Sequence, residues 1–365
     1  QGFTGPLESM IGAMSGGANL AVTEANASGK FLQGTINVVQ GDSVCIDPAV
    51  AIAQAEKMVN EDNVMAIMGP NCSGNTIAVI EGVIVPNGIV SISPSATSPA
   101  IDALDDGGFF FRTAAPDTKQ GPMLAKVAMA RGQTDMAVTH SNSDYGKALA
   151  DAFVAAYEGM GGTVTVFSAH EDDKADYSAE VGALAAAGGE LLVVAGYVDQ
   201  GGDGIMRASI DTGAFDLYHF PDGMISVNLE ENFGNDVNGS QGQHPGTDSP
   251  GAASLVSMGE ANGFDGSSPF APESYDAAAL IMLAMQSAGS SSSADYASKV
   301  MEVANAPGVQ IFPGELAKGL KILADGGDID YVGGSAVELI GPGESAGAYR
   351  QIEIKGGKIT TMQYR

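Results

Sequence analysis

The chain has 365 residues, 44% of them hydrophobic, with 16 basic residues against 44 acidic and a formal net charge of −28. That length suits about two domains. So large an acidic surplus excludes DNA or RNA as partners, since their affinity rests on Lys and Arg at phosphates, and it disfavours anionic lipid surfaces. No apolar run reaches the ~18 residues that span a bilayer, so no direct membrane insertion is expected.

In chain order, the opening Gln1-Gly2-Phe3-Thr4-Gly5-Pro6 is already turn-like, and a leader and a short first strand are expected to precede it. Leu7–Asn26 reads as a helix loosened by glycines, Thr35–Gln40 as a strand, and Pro48–Asn60 as a helix. Asp47 as N-cap and Pro48 at the first helical position mark that start. Short buried strands are predicted at Val64–Met68, Ile89–Ile92 and Phe109–Thr113, with a helix at Ile77–Val85. The alternation recurs with helices at Pro122–Arg131, Tyr145–Met160, Tyr177–Ala187 and Gly204–Thr212, and strands at Asp135–Thr139, Thr163–Ser168, Glu190–Ala195 and Phe215–Phe220. Strands alternating with helices predict parallel sheets covered on both faces, an α/β fold. Gly234–Gly251, with hardly an apolar side chain, reads as a long loop or linker. Helices return at Ser254–Asn262, Ser274–Ala288, Ala294–Ala304 and Gly314–Leu323. The chain ends in strands at Ala336–Ile340, Tyr349–Ile354 and Lys358–Tyr364, with Gly356-Gly357 as a hairpin turn.

The two cysteines, Cys45 and Cys72, lie at the ends of the predicted strands that flank the helix Pro48–Asn60. Strands joined by a crossover lie side by side, so a disulfide and an oxidising compartment are expected; two unrelated buried thiols are the alternative.

Two turns carry most of the functional information: Gly69-Pro70-Asn71-Cys72-Ser73-Gly74-Asn75-Thr76 and Ser93-Pro94-Ser95-Ala96-Thr97-Ser98-Pro99. Each follows a compact apolar run, and the first leads into a helix. Backbone N–H groups at a helix start lack internal partners, and the helix dipole favours an anion there. Taken singly, each turn is also an ordinary Ser or Thr cap. As a pair on successive strands they suggest one carboxylate held between them. Ligands of open parallel sheets bind beyond the carboxyl ends of the strands, where His140, Tyr145, Tyr197 and Asp222 also fall. Asp222 is either a plain Pro-Asp-Gly turn or the partner of an ammonium, and a zwitterion would satisfy both poles.

These motifs, with Thr4-Gly5-Pro6, Cys45-Ile46-Asp47-Pro48, Arg112-Thr113, Asp117 to Gly121-Pro122, Tyr145-Gly146, Gly196-Tyr197 and Pro221-Asp222-Gly223, resemble the Leu/Ile/Val-binding protein family. These are periplasmic receptors of branched-chain amino-acid ABC importers. The resemblance implies the two-lobed type I periplasmic-binding fold, each lobe a mostly parallel sheet flanked by helices, with three interlobe crossovers. It assigns residues 1–116 plus 250–333 to a carboxylate-binding lobe and 117–249 plus 334–365 to an ammonium-binding lobe. The crossovers are expected near Ala114–Thr118, near Gln243–Pro250 and between Asp330 and Gly343. Ser73 and Thr97, with backbone groups of Ser95 and Ala96, would hold the ligand carboxylate; Tyr145 and Tyr197 would cover the ligand; Asp222 would pair with its ammonium. Met10 stands where the family has an aromatic, Phe270 matches a pocket Phe, and Asn71 replaces an apolar residue, so it either touches ligand, points to solvent or caps the turn. The resemblance further implies the Cys45–Cys72 disulfide, a monomer secreted across the inner membrane of a Gram-negative bacterium into the periplasm, a membrane permease as partner, and no cofactor. A receptor or sensor of the same fold for amides, urea or small aromatic or organic acids is the alternative.

Enzyme readings fare worse. Gly343-Glu344-Ser345-Ala346-Gly347 matches the nucleophile-elbow pattern, which needs a strand before it and a helix after it, but a strand is predicted to follow. The four histidines have no metal-ligand spacing. Asp102–Asp106 and Asp325–Asp330 do not fit the EF-hand pattern. No catalytic constellation or metal site is expected.

Overall fold

In the computed structural model, which describes residues 1–365, two helices open the chain and helices and strands then alternate from Pro48 to Pro245. Two parallel sheets result. The smaller joins β1 (Ile67–Met68), β2 (Ser91–Ser93) and β3 (Phe110–Arg112) in that order. The larger contains β4 (Asp135–Ser141), β5 (Thr163–His170), β6 (Leu191–Ala195), β7 (Tyr218–Phe220) and β8 (Gln241–Pro245). Short strands β9 (Val309–Ile311), β10 (Ile329–Tyr331), β11 (Leu339–Ile340) and β12 (Glu344–Ser345) form two separate pairs. The larger sheet then takes β13 (Tyr349–Lys355) and β14 (Lys358–Tyr364), for a final order β14-β13-β8-β7-β6-β4-β5. Pairing is parallel from β8 to β5 and antiparallel at β13 and β14. Gly356 and Gly357 both take positive φ (59° and 72°), the geometry of the expected hairpin turn.

Most predicted elements are present with shifted ends. Pro48–Asn60 is helical as expected, and Asp47 accepts from Ala49 N (2.9 Å) and Val50 N (3.3 Å). The helix Ala271–Ala288 is buried from Ala271 through Gln286, because the first helix, Glu8–Ser28, and the helices Ser293–Val303 and Leu316–Ala324 surround it.

Four differences matter. Thr35–Gln40 runs without forming a strand: no backbone hydrogen bond ties Asn37–Gln40 to a neighbour, and a groove of about 590 Å³ lined by Ile36, Val38, Val39, Ile67 and Met68 separates it from β1. Strand pattern alone cannot make a strand without a ladder. The supposed linker Gly234–Gly251 instead contains β8, buried at every position although it reads Gln-Gly-Gln-His-Pro. Its polar side chains have internal partners: Gln243 Nε2 donates to Gln120 O (3.1 Å) and Gln241 Nε2 to Glu353 Oε2 (3.0 Å). Third, the helix expected at Pro122 begins a turn earlier, at Asp117, and carries Pro122 inside it. Fourth, Asp325–Asp330 runs into β10.

Two large apolar clusters form the core. One covers the larger sheet; the other joins Val90, Ile92 and Phe111 to the helices Ala271–Ala288 and Leu316–Ala324.

Candidate functional site

Because β1 and β2 are parallel neighbours, the turns leaving their carboxyl ends lie side by side. They are stitched together: Ser91 Oγ donates to Gly69 O (2.6 Å), Ser93 Oγ to Pro70 O (2.5 Å) and Ser95 Oγ to Asn71 O (2.9 Å), while Ser73 Oγ accepts from Ser98 N (3.2 Å). Ser73 opens the helix Ser73–Val79, with first-turn N–H groups unpaired by geometry. Thr97 Oγ1 is buried and has no partner. The expectation for Ser95 and Ala96 is less well met, because their N–H groups turn inward to Ser93 Oγ (3.4 and 3.0 Å). The donors left for an anion are therefore the Ser73 and Thr97 hydroxyls and the helix start. Behind the second turn, buried Arg112 donates from Nη1 to Ser98 O (3.1 Å) and pairs through Nη2 with Asp102 and Glu344. It supports the turn and is spent in doing so.

The opposite bank comes from the carboxyl ends of β4, β6 and β7. Ser143 caps the helix Asp144–Gly159 through Gly146 N (3.1 Å), which sets Tyr145 in the first turn. The rings of Tyr145 and Tyr197 lie 4.9 Å apart, tilted by 31°. Tyr145 Oη donates to Asp222 Oδ1, which also accepts from Gly223 N (2.8 Å). A Cβ on residue 223 would come within 2.8 Å of Tyr145 Oη and 2.6 Å of Gly196 O, so only glycine admits this approach. Gln120, with its amide nitrogen toward Asp222, donates to Oδ2 (3.1 Å). Burial pushes the Asp222 carboxyl up to about 6, and the hydrogen bonds from Tyr145, Gly223 and Gln120 restrain that rise.

Three buried groups that the sequence reading left out of the site join it. Asp117 donates from its backbone N to Thr97 O (2.9 Å), and its Oδ2 has no partner. Burial, then the charge of Asp222, raises its carboxyl well above the usual range, while the Thr97 hydroxyl close beside it, outside hydrogen-bond geometry, and Arg112 offset part of that rise. Glu273, in the first turn of the helix Ala271–Ala288, is anchored by Thr113 Oγ1 donating to its backbone O (2.8 Å) and leaves Oε2 unpartnered. Tyr349 Oη is likewise buried and unpartnered. One signal was available for Asp117: with Gln120 it forms an i, i+3 pair on one helix face, once the helix is seen to start there.

Met10 and Phe270 are buried in the apolar cluster that holds Met14, Tyr145 and Tyr197, so the expected pocket residues are gathered there. Asn71 is buried rather than solvent-facing: Oδ1 accepts from Gly2 N (3.3 Å) and Nδ2 contacts Met14 Sδ (3.6 Å). Cys45 and Cys72 are bonded as a disulfide. His140 Nδ1 donates to Ser141 O (2.9 Å), and the ring packs on Phe167. Ser345 lies in β12 and is followed by β13 rather than a helix. No group of three or more His, Cys, Asp or Glu is arranged to hold a metal ion.

The two banks touch. Asp199 Oδ2, beyond β6, accepts from Ser9 N (2.8 Å) in the first turn of the helix Glu8–Ser28, while its Oδ1 accepts from Asn228 Nδ2 (2.6 Å). A carboxylate at a helix N-terminus is stabilising by roughly 0.3–1 kcal/mol. Asp199→Ala is therefore expected to loosen the contact between the banks, seen as a larger radius of gyration in small-angle scattering. An unchanged scattering profile would mean that this contact does not hold the banks together.

A periplasmic binding protein family model matches residues 1–318. The Escherichia coli K12 Leu/Ile/Val-binding protein is 29% identical over 244 residues, covering 63% of this chain; this chain spans 65% of that relative's length. A leucine-, isoleucine-, valine-, threonine- and alanine-binding protein of Pseudomonas aeruginosa is 28% identical over 291 residues, 78% of this chain and 76% of its own. Among solved structures, a leucine-binding protein from Thermotoga maritima superposes with a TM-score of 0.83 at 18% identity, covering 100% of this chain and 96% of that one. A solute-binding protein from R. palustris in complex with benzoate gives 0.79 at 16% identity, covering 100% and 94%. The two-sheet architecture described above is thus the type I periplasmic-binding fold that the sequence motifs implied.

Proposed function

This chain belongs to the periplasmic binding protein family, and on that premise we propose that it is the substrate-binding component of an ABC importer, closing on an amino acid in the cleft between its two sheets. The Leu/Ile/Val-binding relatives support that ligand class. The carrying observation is the polarity of the cleft: the unpartnered Thr97 hydroxyl and the helix start at Ser73, whose hydroxyl accepts from Ser98 N, on one side, the buried carboxyl of Asp222 on the other. The ligand carboxylate would take the first pole and its ammonium the second, with Tyr145 and Tyr197 over its body. Micromolar affinity corresponds to about −8 kcal/mol, within reach of a few charge-assisted hydrogen bonds in a closed cleft.

In this reading residues 1–116 with 250–345 form the carboxylate-binding lobe and 117–249 with 346–365 the other. The last boundary moves from the expected 333/334, because Val337 and Leu339 pack with Phe111 and Glu344 pairs with Arg112. Closure is stabilised by contacts made only in the closed state, and the closed form would dock on a membrane permease from the periplasmic side.

A second reading, an aromatic acid, has the benzoate-bound neighbour in its favour. A benzoate has no use for Asp222. A thermal-shift screen of amino acids and benzoates at pH 7.5 separates the two; a melting temperature raised by benzoates alone would overturn the amino-acid reading. The pH dependence adds a check. An ammonium needs Asp222 ionised, so affinity should weaken as pH falls through about 6. The ligand-free protein behaves oppositely at this residue: its raised carboxyl contributes stability present below pH 4 and lost as pH rises through about 6. The ligand-induced shift should therefore be larger at pH 7.5 than at pH 5.

A further inference from the structure

Three carboxyls, Asp117, Asp222 and Glu273, are each buried to within 2% of complete exclusion from solvent around this cleft. Their placement is fixed by the frame. Asp117 and Gln120 share one helix face, and Gln120 reaches Asp222. Thr113, four residues before Asp117, anchors the backbone of Glu273. Two of the three have an oxygen with no partner, Asp117 Oδ2 and Glu273 Oε2, and Tyr349 Oη nearby has none either. Arg112, the cation closest in sequence, is taken up by Asp102, Glu344 and the turn carbonyls. The cleft is therefore rich in acceptors and lacks a free protein cation.

A zwitterion does not balance this arrangement. Its ammonium can serve Asp222, but the buried Glu273 Oε2 is then left without a partner. A buried polar atom with no hydrogen-bond partner is costly. Resting on the amino-acid reading above, we propose that the preferred ligand is an α-amino acid with a cationic side chain, whose distal ammonium or guanidinium is received by Glu273. Phe270, the residue that precedes this helix, belongs to the same buried apolar cluster as Tyr145 and Tyr197, which supplies apolar surface for the methylene stem of such a side chain. Without ligand, burial raises the Glu273 carboxyl to about 8, so at neutral pH it holds a proton that an incoming cation would displace.

The test is isothermal titration of the full chain with leucine, lysine, ornithine and arginine at pH 7.5, each in two buffers of different ionisation enthalpy. At least one basic amino acid should bind tenfold or more tightly than leucine and release more protons. Glu273→Gln, which keeps the shape and the neutral state, should weaken that basic ligand at least tenfold and abolish the extra proton release. Leucine binding as well as or better than all three basic ligands to the wild-type protein would overturn this inference and leave the amino-acid reading standing. Binding of none of the four would also overturn this inference, and the thermal-shift screen above decides the amino-acid reading separately. Because the wild-type comparison alone decides, poor folding of the variant would not shield the proposal.

Discussion

Asp222→Asn is expected to lower affinity for the amino-acid ligand by roughly a hundredfold, about 3 kcal/mol, the range seen when one partner of a buried charge pair is removed. Asparagine fills the same space and can still accept from Tyr145 Oη and Gly223 N, so the loss reports charge rather than shape. The same change should raise the melting temperature of the ligand-free protein at pH 7.5. There the wild type holds a buried carboxyl that burial has pushed up to about 6, so it pays for an ionised group that only the ligand neutralises. Stability gained and binding lost is the pattern of a functional residue held at a cost to the fold. Calorimetric titration and a melt of the two proteins settle it: unchanged affinity would end the ammonium assignment, and a destabilised variant would mean that Asp222 is structural.

The parts of the fold that were legible in the sequence are those where local pattern and tertiary demand agree. Asp47-Pro48 states a helix start in its own chemistry, and the helix begins there. The Leu191–Ala195 run is apolar at every position because both faces of β6 are covered. The side-by-side placement of the two turns was legible because they leave successive strands, and β1 and β2 are parallel neighbours. What escaped notice depends on partners distant in sequence. Gln241–Pro245 looks like a linker until Gln120 and Glu353 supply its hydrogen bonds. Thr35–Gln40 has strand composition but no neighbour within bonding reach. Glu273 reads as an ordinary first-turn acid, a favoured position at a helix start, and nothing local reveals that its carboxyl is buried in the cleft. The inward use of the Ser95 and Ala96 amides is equally invisible, since it depends on the rotamer of Ser93.

Replacing Cys45 and Cys72 together by Ser is expected to cost about 3–4 kcal/mol of unfolding free energy on the chain-entropy model, for a bond that spans 27 residues. The lower end is favoured by local backbone geometry. Val44 and Cys45 both have positive φ, 48° and 65°, a region that costs non-glycine residues of order 1–3 kcal/mol each. Freed from the bridge, the segment can relax, although Asp42 Oδ1 still accepts from Phe3 N (2.8 Å) and Val44 N (3.0 Å). Function should follow stability only in part. Cys72 immediately precedes Ser73, but Thr76 Oγ1 donates to Cys72 O (3.0 Å) and Ser73 Oγ accepts from Ser98 N, so the turn keeps its own ties. A denaturation midpoint that falls clearly while ligand affinity weakens less than tenfold is the expected result. A loss of binding as large as that of Asp222→Asn would instead make the bridge part of the carboxylate pole, because only displacement of Ser73 could transmit its removal to the ligand.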